Sequence, residues 1–133
     1  LETVFSQHGS SAAFVLTGIG SLRQARLRLA GKDEPEALEG NLEILTLSGT
    51  LSRAGAHLHA SVADEHGRVL GGHVLYDCVV RTTAEVLVAL LPGWSFSREL
   101  DQATGYAELV IRGDLNDAVR GQDNLTEPIN QSD

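Results

Sequence analysis

Between Leu42 and Thr82 the sequence divides into four short stretches of strand-forming residues, Leu42–Leu51, Ala56–Ala63, Arg68–Leu75 and Cys78–Thr82, with two to four residues between neighbours. Connections this short cannot carry the crossover of a parallel pair, which takes a dozen residues or more. A mainly antiparallel sheet follows. Upstream, Ala13–Leu16 reads as a buried strand ending at Gly18 and Gly20. Ala25, Leu27 and Leu29 then alternate with Arg26 and Arg28, the pattern of a strand with one wet face.

The flanking segments are read in the same way. Leu1, Val4 and Phe5 have the spacing of an amphipathic helix that stops at Gly9. No cap precedes it, so it reads as the last turns of a longer helix that starts before Leu1. Lys32–Gly40 is acidic and rich in turn formers, which predicts a surface loop. Ala84–Leu91 is almost wholly apolar; its β-branched neighbours and the Pro92-Gly93 stop favour strand over helix. Ser95–Leu100 and Tyr106–Ile111 flank Asp101–Gly105 as a last hairpin. The fold class expected is a mixed α/β domain in which the sheet dominates, spanning residues 1–112.

A chain of 133 residues can bury a core of its own without metals or disulfides as scaffolding. Its 42% apolar and 21% charged content fits neither a disordered chain nor a membrane protein. The longest apolar run, Val86–Leu91, is far below the roughly 20 residues that span a bilayer. The lone Cys78 excludes an internal disulfide and agrees with a cytoplasmic location. Half of the net charge of −8 lies in residues 113–133, where five acids face Arg120 alone; this stretch is expected to be an acidic, mobile tail. An acidic balance argues against bulk affinity for nucleic acid.

The most informative segment runs from His57 to His73. Glu65-His66-Gly67 has the composition of a three-residue hairpin loop, with glycine at the left-handed position. Asp64 then faces Arg68, and the same register sets His59 opposite His73, with His57 two residues along and on the same face. Opposed Cβ atoms lie about 5 Å apart and i, i+2 neighbours about 7 Å, so three imidazoles converge on one point. His57, His59 and His73 are thus a candidate metal site, and three neutral nitrogen ligands with one open position resemble catalytic more than structural zinc. A two-residue loop would turn His73 to the other face. His8 and His66 are assigned to the surface. Gly18-x-Gly20 lacks the rest of a dinucleotide loop and is read as turn chemistry, so no organic cofactor is expected. Arg23, Arg26 and Arg28 form the one candidate basic face.

Several short motifs occur together: Gly18-Ile-Gly-Ser-Leu22, Leu42-Glu-Ile-Leu-Thr-Leu-Ser-Gly-Thr50, His57-Leu-His59, Gly71-Gly-His73, and Ser97-Arg-Glu-Leu-Asp101 followed by Thr104-Gly-Tyr106. Over about Leu1 to Ile111 this set resembles the plants-and-prokaryotes-conserved (PPC) domain. The resemblance implies an antiparallel sheet, an opening strand and early helix that would lie before Leu1, assembly as a homotrimer, and DNA binding of a regulatory kind, which would fall to Arg23, Arg26 and Arg28. Plant members carry the domain beside AT-hooks; this sequence contains no Arg-Gly-Arg-Pro core of that kind. The histidine pattern is that of prokaryotic members and is similar to the zinc-binding histidines of acetolactate decarboxylase, which shares the fold. A zinc-dependent small-molecule lyase or a metabolite-binding protein is therefore the competing class. No second acid or base can be placed by sequence, which favours a binding protein over an enzyme.

Overall fold

The computed structural model describes residues 1–113; the acidic segment from Asp114 onward, expected to form a mobile tail, lies outside them. One short helix, α1 (Glu2–Gln7), precedes seven strands: β1 (Ala12–Arg28), β2 (Glu36–Ser52), β3 (Gly55–Ala63), β4 (Val69–Val74), β5 (Val79–Leu90), β6 (Trp94–Leu100) and β7 (Ala107–Gly113). The sheets are antiparallel and dominate the fold, as the short connections require. The first five strands run in the order β2-β3-β4-β1-β5, and β6 pairs with β7.

Two boundaries differ from the sequence reading. Ala13–Leu16 and the alternating segment from Ala25 to Arg28 belong to one strand, because Gly18 and Gly20 lie within β1 instead of ending it. Their role is spacing. A Cβ at Gly20 would sit 2.3 Å from the Thr83 carbonyl oxygen of β5, and one at Gly18 would sit 2.9 Å from the Leu47 Cβ of β2. The loop predicted over Lys32–Gly40 ends early, since β2 begins at Glu36. Glu36–Glu39 pair with Leu27–Gln24 of β1, and an available partner edge outweighs an acidic, turn-prone composition. Ala84–Leu91 is strand, as expected, and joins the preceding segment in β5.

β1 organises the rest. Along one edge it pairs with β2; its other edge is shared by β5, over Ala13–Gln24, and by β4, at Leu27 and Arg28. Because β2, β3 and β4 are successive partners, the return of β4 to β1 closes four strands into a ring. Leu27, Leu42, Ile44, Leu47, Leu58 and Val62 pack together as its core, and Phe5 of α1 joins them. Leu27 and Leu51 are fully buried, so truncation of either to Ala costs about 2–5 kcal/mol. The β6–β7 hairpin docks separately: Phe96 N–H donates to the Ser11 carbonyl at 3.2 Å, and the Phe96 ring meets Phe14 edge-on at 5.3 Å. Among the described residues no helix is long and apolar enough to cross a membrane.

Candidate metal centre

The turn between β3 and β4 sets the site. Asp64 N–H donates to the Arg68 carbonyl at 3.0 Å, Gly67 N–H to the Asp64 carbonyl at 2.9 Å, and Gly67 has φ +75°. The Asp64 carboxylate accepts the backbone N–H groups of His66 and Arg68, both at 2.9 Å, which locks the three-residue loop. The register read from the sequence is the one observed: His59 pairs with His73, and Val62 with Leu70.

Pairing across four strands then places chemistry on one face. Ser48, His59, His73 and Arg28 form a row across β2, β3, β4 and β1. Phe14, Thr50 and His57 form a second row across β1, β2 and β3. Leu58, between the two β3 histidines, points into the core. The docked hairpin brings Arg98 over this face, where its Nη2 donates to Thr50 Oγ1 at 3.4 Å and its Nη1 to the Ala107 carbonyl at 3.3 Å.

The three imidazoles meet. Ring centroids are 5.3 Å apart for His57 and His59, 4.8 Å for His57 and His73, and 5.4 Å for His59 and His73. Their nearest ligand nitrogens all lie within 4.8 Å of one another. Zinc bonded at about 2.1 Å in a tetrahedron holds nitrogens about 3.4 Å apart, a contraction within reach of side-chain rotation. Burial, then Arg98, the other two histidines and Arg28, push the His57 pKa down to about 4. Burial and Arg28, followed by His59 and Arg98, lower that of His73. Both rings are thus kept neutral, the state that ligates metal. His73 Nδ1 is buried without a hydrogen-bond partner among the described residues, which is the situation of a nitrogen awaiting a cation. The residues present therefore fit a metal ion.

The three arginines read as one basic face part company. Arg26 pairs with Asp77 at 3.4 Å, Arg28 stands in the histidine row, and Arg23 is exposed on β1. His8 and His66 are exposed, as expected; the first contacts the Val4 carbonyl at 2.8 Å and the second lies beside Glu65. Thr50, Arg98 and the placement of Arg28 were missed by sequence reasoning. The Leu-Ser-Gly-Thr50 and Ser97-Arg-Glu motifs pointed to the first two without saying what they face. A cleft of about 190 Å³ opens here, lined by Thr50, Ala56, His57, His73, Arg98 and Leu109 among others, with no carboxylate among the described residues of its wall.

The model of the Plants and Prokaryotes Conserved (PCC) domain matches residues 1–92. The Bifunctional protein GlmU of Synechococcus sp. (strain JA-2-3B'a(2-13)) is 48% identical over 112 residues, which cover 84% of this chain and 18% of that protein. The AT-hook motif nuclear-localized protein 2 of Arabidopsis thaliana is 34% identical over 110 residues, 71% of this chain and 31% of that protein. The chain thus spans under a third of the length of either relative. Among solved structures, a hypothetical protein from Salmonella cholerae-suis superposes with a TM-score of 0.82 at 39% identity, covering 86% of this chain and 83% of that one. The metal-containing protein AF0104 from Archaeoglobus fulgidus superposes with a TM-score of 0.66 at 30% identity, covering 82% of this chain and 81% of that one.

Proposed function

The chain belongs to the Plants and Prokaryotes Conserved (PCC) domain family, and from that premise we propose that it is a zinc-holding, ligand-binding module of a cytoplasmic homotrimer, with His57, His59 and His73 as the metal ligands. The observation that carries the reading is the convergence of three imidazoles within 4.8 Å, one with a buried, partnerless ring nitrogen. The similarity to a metal-containing archaeal protein supports it. Zinc bound by three histidines supplies a Lewis acid with an open position. The chain's own contribution is to hold two of the rings neutral by burial and by the neighbouring guanidinium groups. A lyase would also need a proton donor in register, and the described residues of the cleft wall include no carboxylate for that task. This favours binding over catalysis.

Elemental analysis of the full chain, purified without a histidine tag, tests the proposal. About one zinc per chain is expected, lost in His59→Ala and kept in His66→Ala, with the fold intact in both. Zinc well below one ion per three chains in the native sequence returns the histidines to surface groups.

A second reading, contact with DNA through Arg23, Arg26 and Arg28, has the relationship to the AT-hook motif nuclear-localized protein in its favour. Against it stand the net charge of −8 and the engagement of Arg26 with Asp77.

A further inference from the structure

We infer that the cleft beside His57 and His73 takes a small oxyanion, the carboxylate of a metabolite of a few carbons or free phosphate, held between the metal and Arg98. The inference rests on the zinc reading above and goes on to name the class of ligand.

Three neutral imidazoles leave a bound zinc with its full double charge. Arg28 sits directly across from His73, and Arg98 is held over the same face through Thr50, itself the cross-strand partner of His57. Arg98 in the cleft wall, with the exposed Arg28 near by, adds positive charge to that of a divalent ion, and an anion between the ion and Arg98 lowers their repulsion. Of the nearby carboxylates, Asp77 is paired with Arg26 and Glu99 with Arg112, and Glu2, outside the cleft lining, accepts the N–H of Ala56 at 2.7 Å and the Tyr76 hydroxyl at 3.3 Å. Among the described residues, then, no acid fills the role, and the missing negative charge falls to a ligand.

Geometry says how it binds. Arg98 spends two N–H donors on Thr50 and Ala107, which fixes the guanidinium plane and leaves others of its five to meet a ligand. A planar, pre-set guanidinium suits carboxylate and phosphate oxygens. The cleft of about 190 Å³ is smaller than the roughly 300–1,000 Å³ of sites for drug-sized molecules, which suits a small anion.

The test is calorimetric titration of the zinc-loaded full chain with pyruvate, with its neutral analogue pyruvamide and with inorganic phosphate, zinc being counted in every sample. Pyruvate or phosphate is expected to bind at least about tenfold more tightly than pyruvamide, the scale of a lost charge-assisted pair. Whichever of the two binds more tightly assigns the source of the oxyanion. Arg98→Gln should keep its zinc and lose about tenfold in anion affinity. If that variant fails to fold, the exposed Arg28→Gln decides, with an expected loss of about threefold. Pyruvamide binding as tightly as the anions, or anion affinity unchanged in the folded, zinc-loaded variant, overturns the inference and leaves the zinc reading standing. Failure of the native chain to load zinc overturns both.

Discussion

His57 is a histidine whose strand neighbours do most of its chemistry. Its ring is pushed to a pKa of about 4 by burial first and then by Arg98, His73, His59 and Arg28. In the unfolded chain it titrates near 6.5, so between pH 6.5 and about 4 the unfolded state binds more protons. Metal-free protein should therefore lose stability as pH falls through that window and be insensitive to this group above it. His73, shifted in the same direction, adds to the effect. The slope should stay well below the ceiling of about 1.4 kcal/mol per pH unit, because solvent screens a ring that is only half-buried. Urea unfolding from pH 7 to pH 4 measures it, and His57→Gln should flatten the profile; equal slopes for both proteins would contradict the account. At this scale the three histidines were legible because one local turn fixes their register. Arg28 was not, since its neighbour His73 reaches it only through the closure of β4 onto β1, a pairing between distant segments.

β2 shows how a strand protects the site from behind. Gly49 pairs with Leu58, next to His57, and its φ is +146°; a Cβ there would lie 2.1 Å from the His57 carbonyl oxygen. Gly49→Ala thus meets both backbone strain and a clash with neighbouring main chain, and should cost about 3 kcal/mol and displace His57. Gly67, in the β3–β4 turn, also has positive φ but nothing within 4 Å of a Cβ. Gly67→Ala should cost only about 1 kcal/mol and leave zinc content unchanged. Thermal unfolding with zinc analysis on both variants separates the two roles. A Gly49→Ala protein with native stability and full zinc would refute this one. The sequence marked Leu-Ser-Gly as a motif, yet the reason for the glycine, the approach of β3, exists only once the strands pair. The long β1 was divided in the reading for a similar cause: Gly18 and Gly20 make room for β2 and β5, and a turn glycine looks the same in a single chain.

At the scale of the molecule, two surfaces remain to be accounted for. The basic one is thin, because Arg26 is tied to Asp77 and Arg28 faces the histidines. Gel-shift titration at two salt concentrations should show at most weak binding that falls steeply with salt, and tight binding at physiological salt would reverse the order of the two functional readings. The apolar one is broader. Leu45 on β2, Ile19 on β1 and Leu87 on β5 are 47%, 53% and 58% exposed, and the three strands are neighbours. Among the described residues β5 is also the outer strand of its sheet, with one paired edge. An open edge beside an apolar strip invites association, and soluble chains usually cover such surface with a symmetric copy. The homotrimer implied by the family resemblance would supply that cover. Size-exclusion chromatography with light scattering should then give three times the chain's 14.2 kDa. Leu87→Glu places a charge at the β5 end of the strip, where desolvating it in an interface costs several kcal/mol, so this variant should shift to the monomer while keeping the far-UV spectrum of the native sheet. A native chain that runs at 14.2 kDa, or a Leu87→Glu protein of unchanged mass, would show that the strip is not the subunit interface.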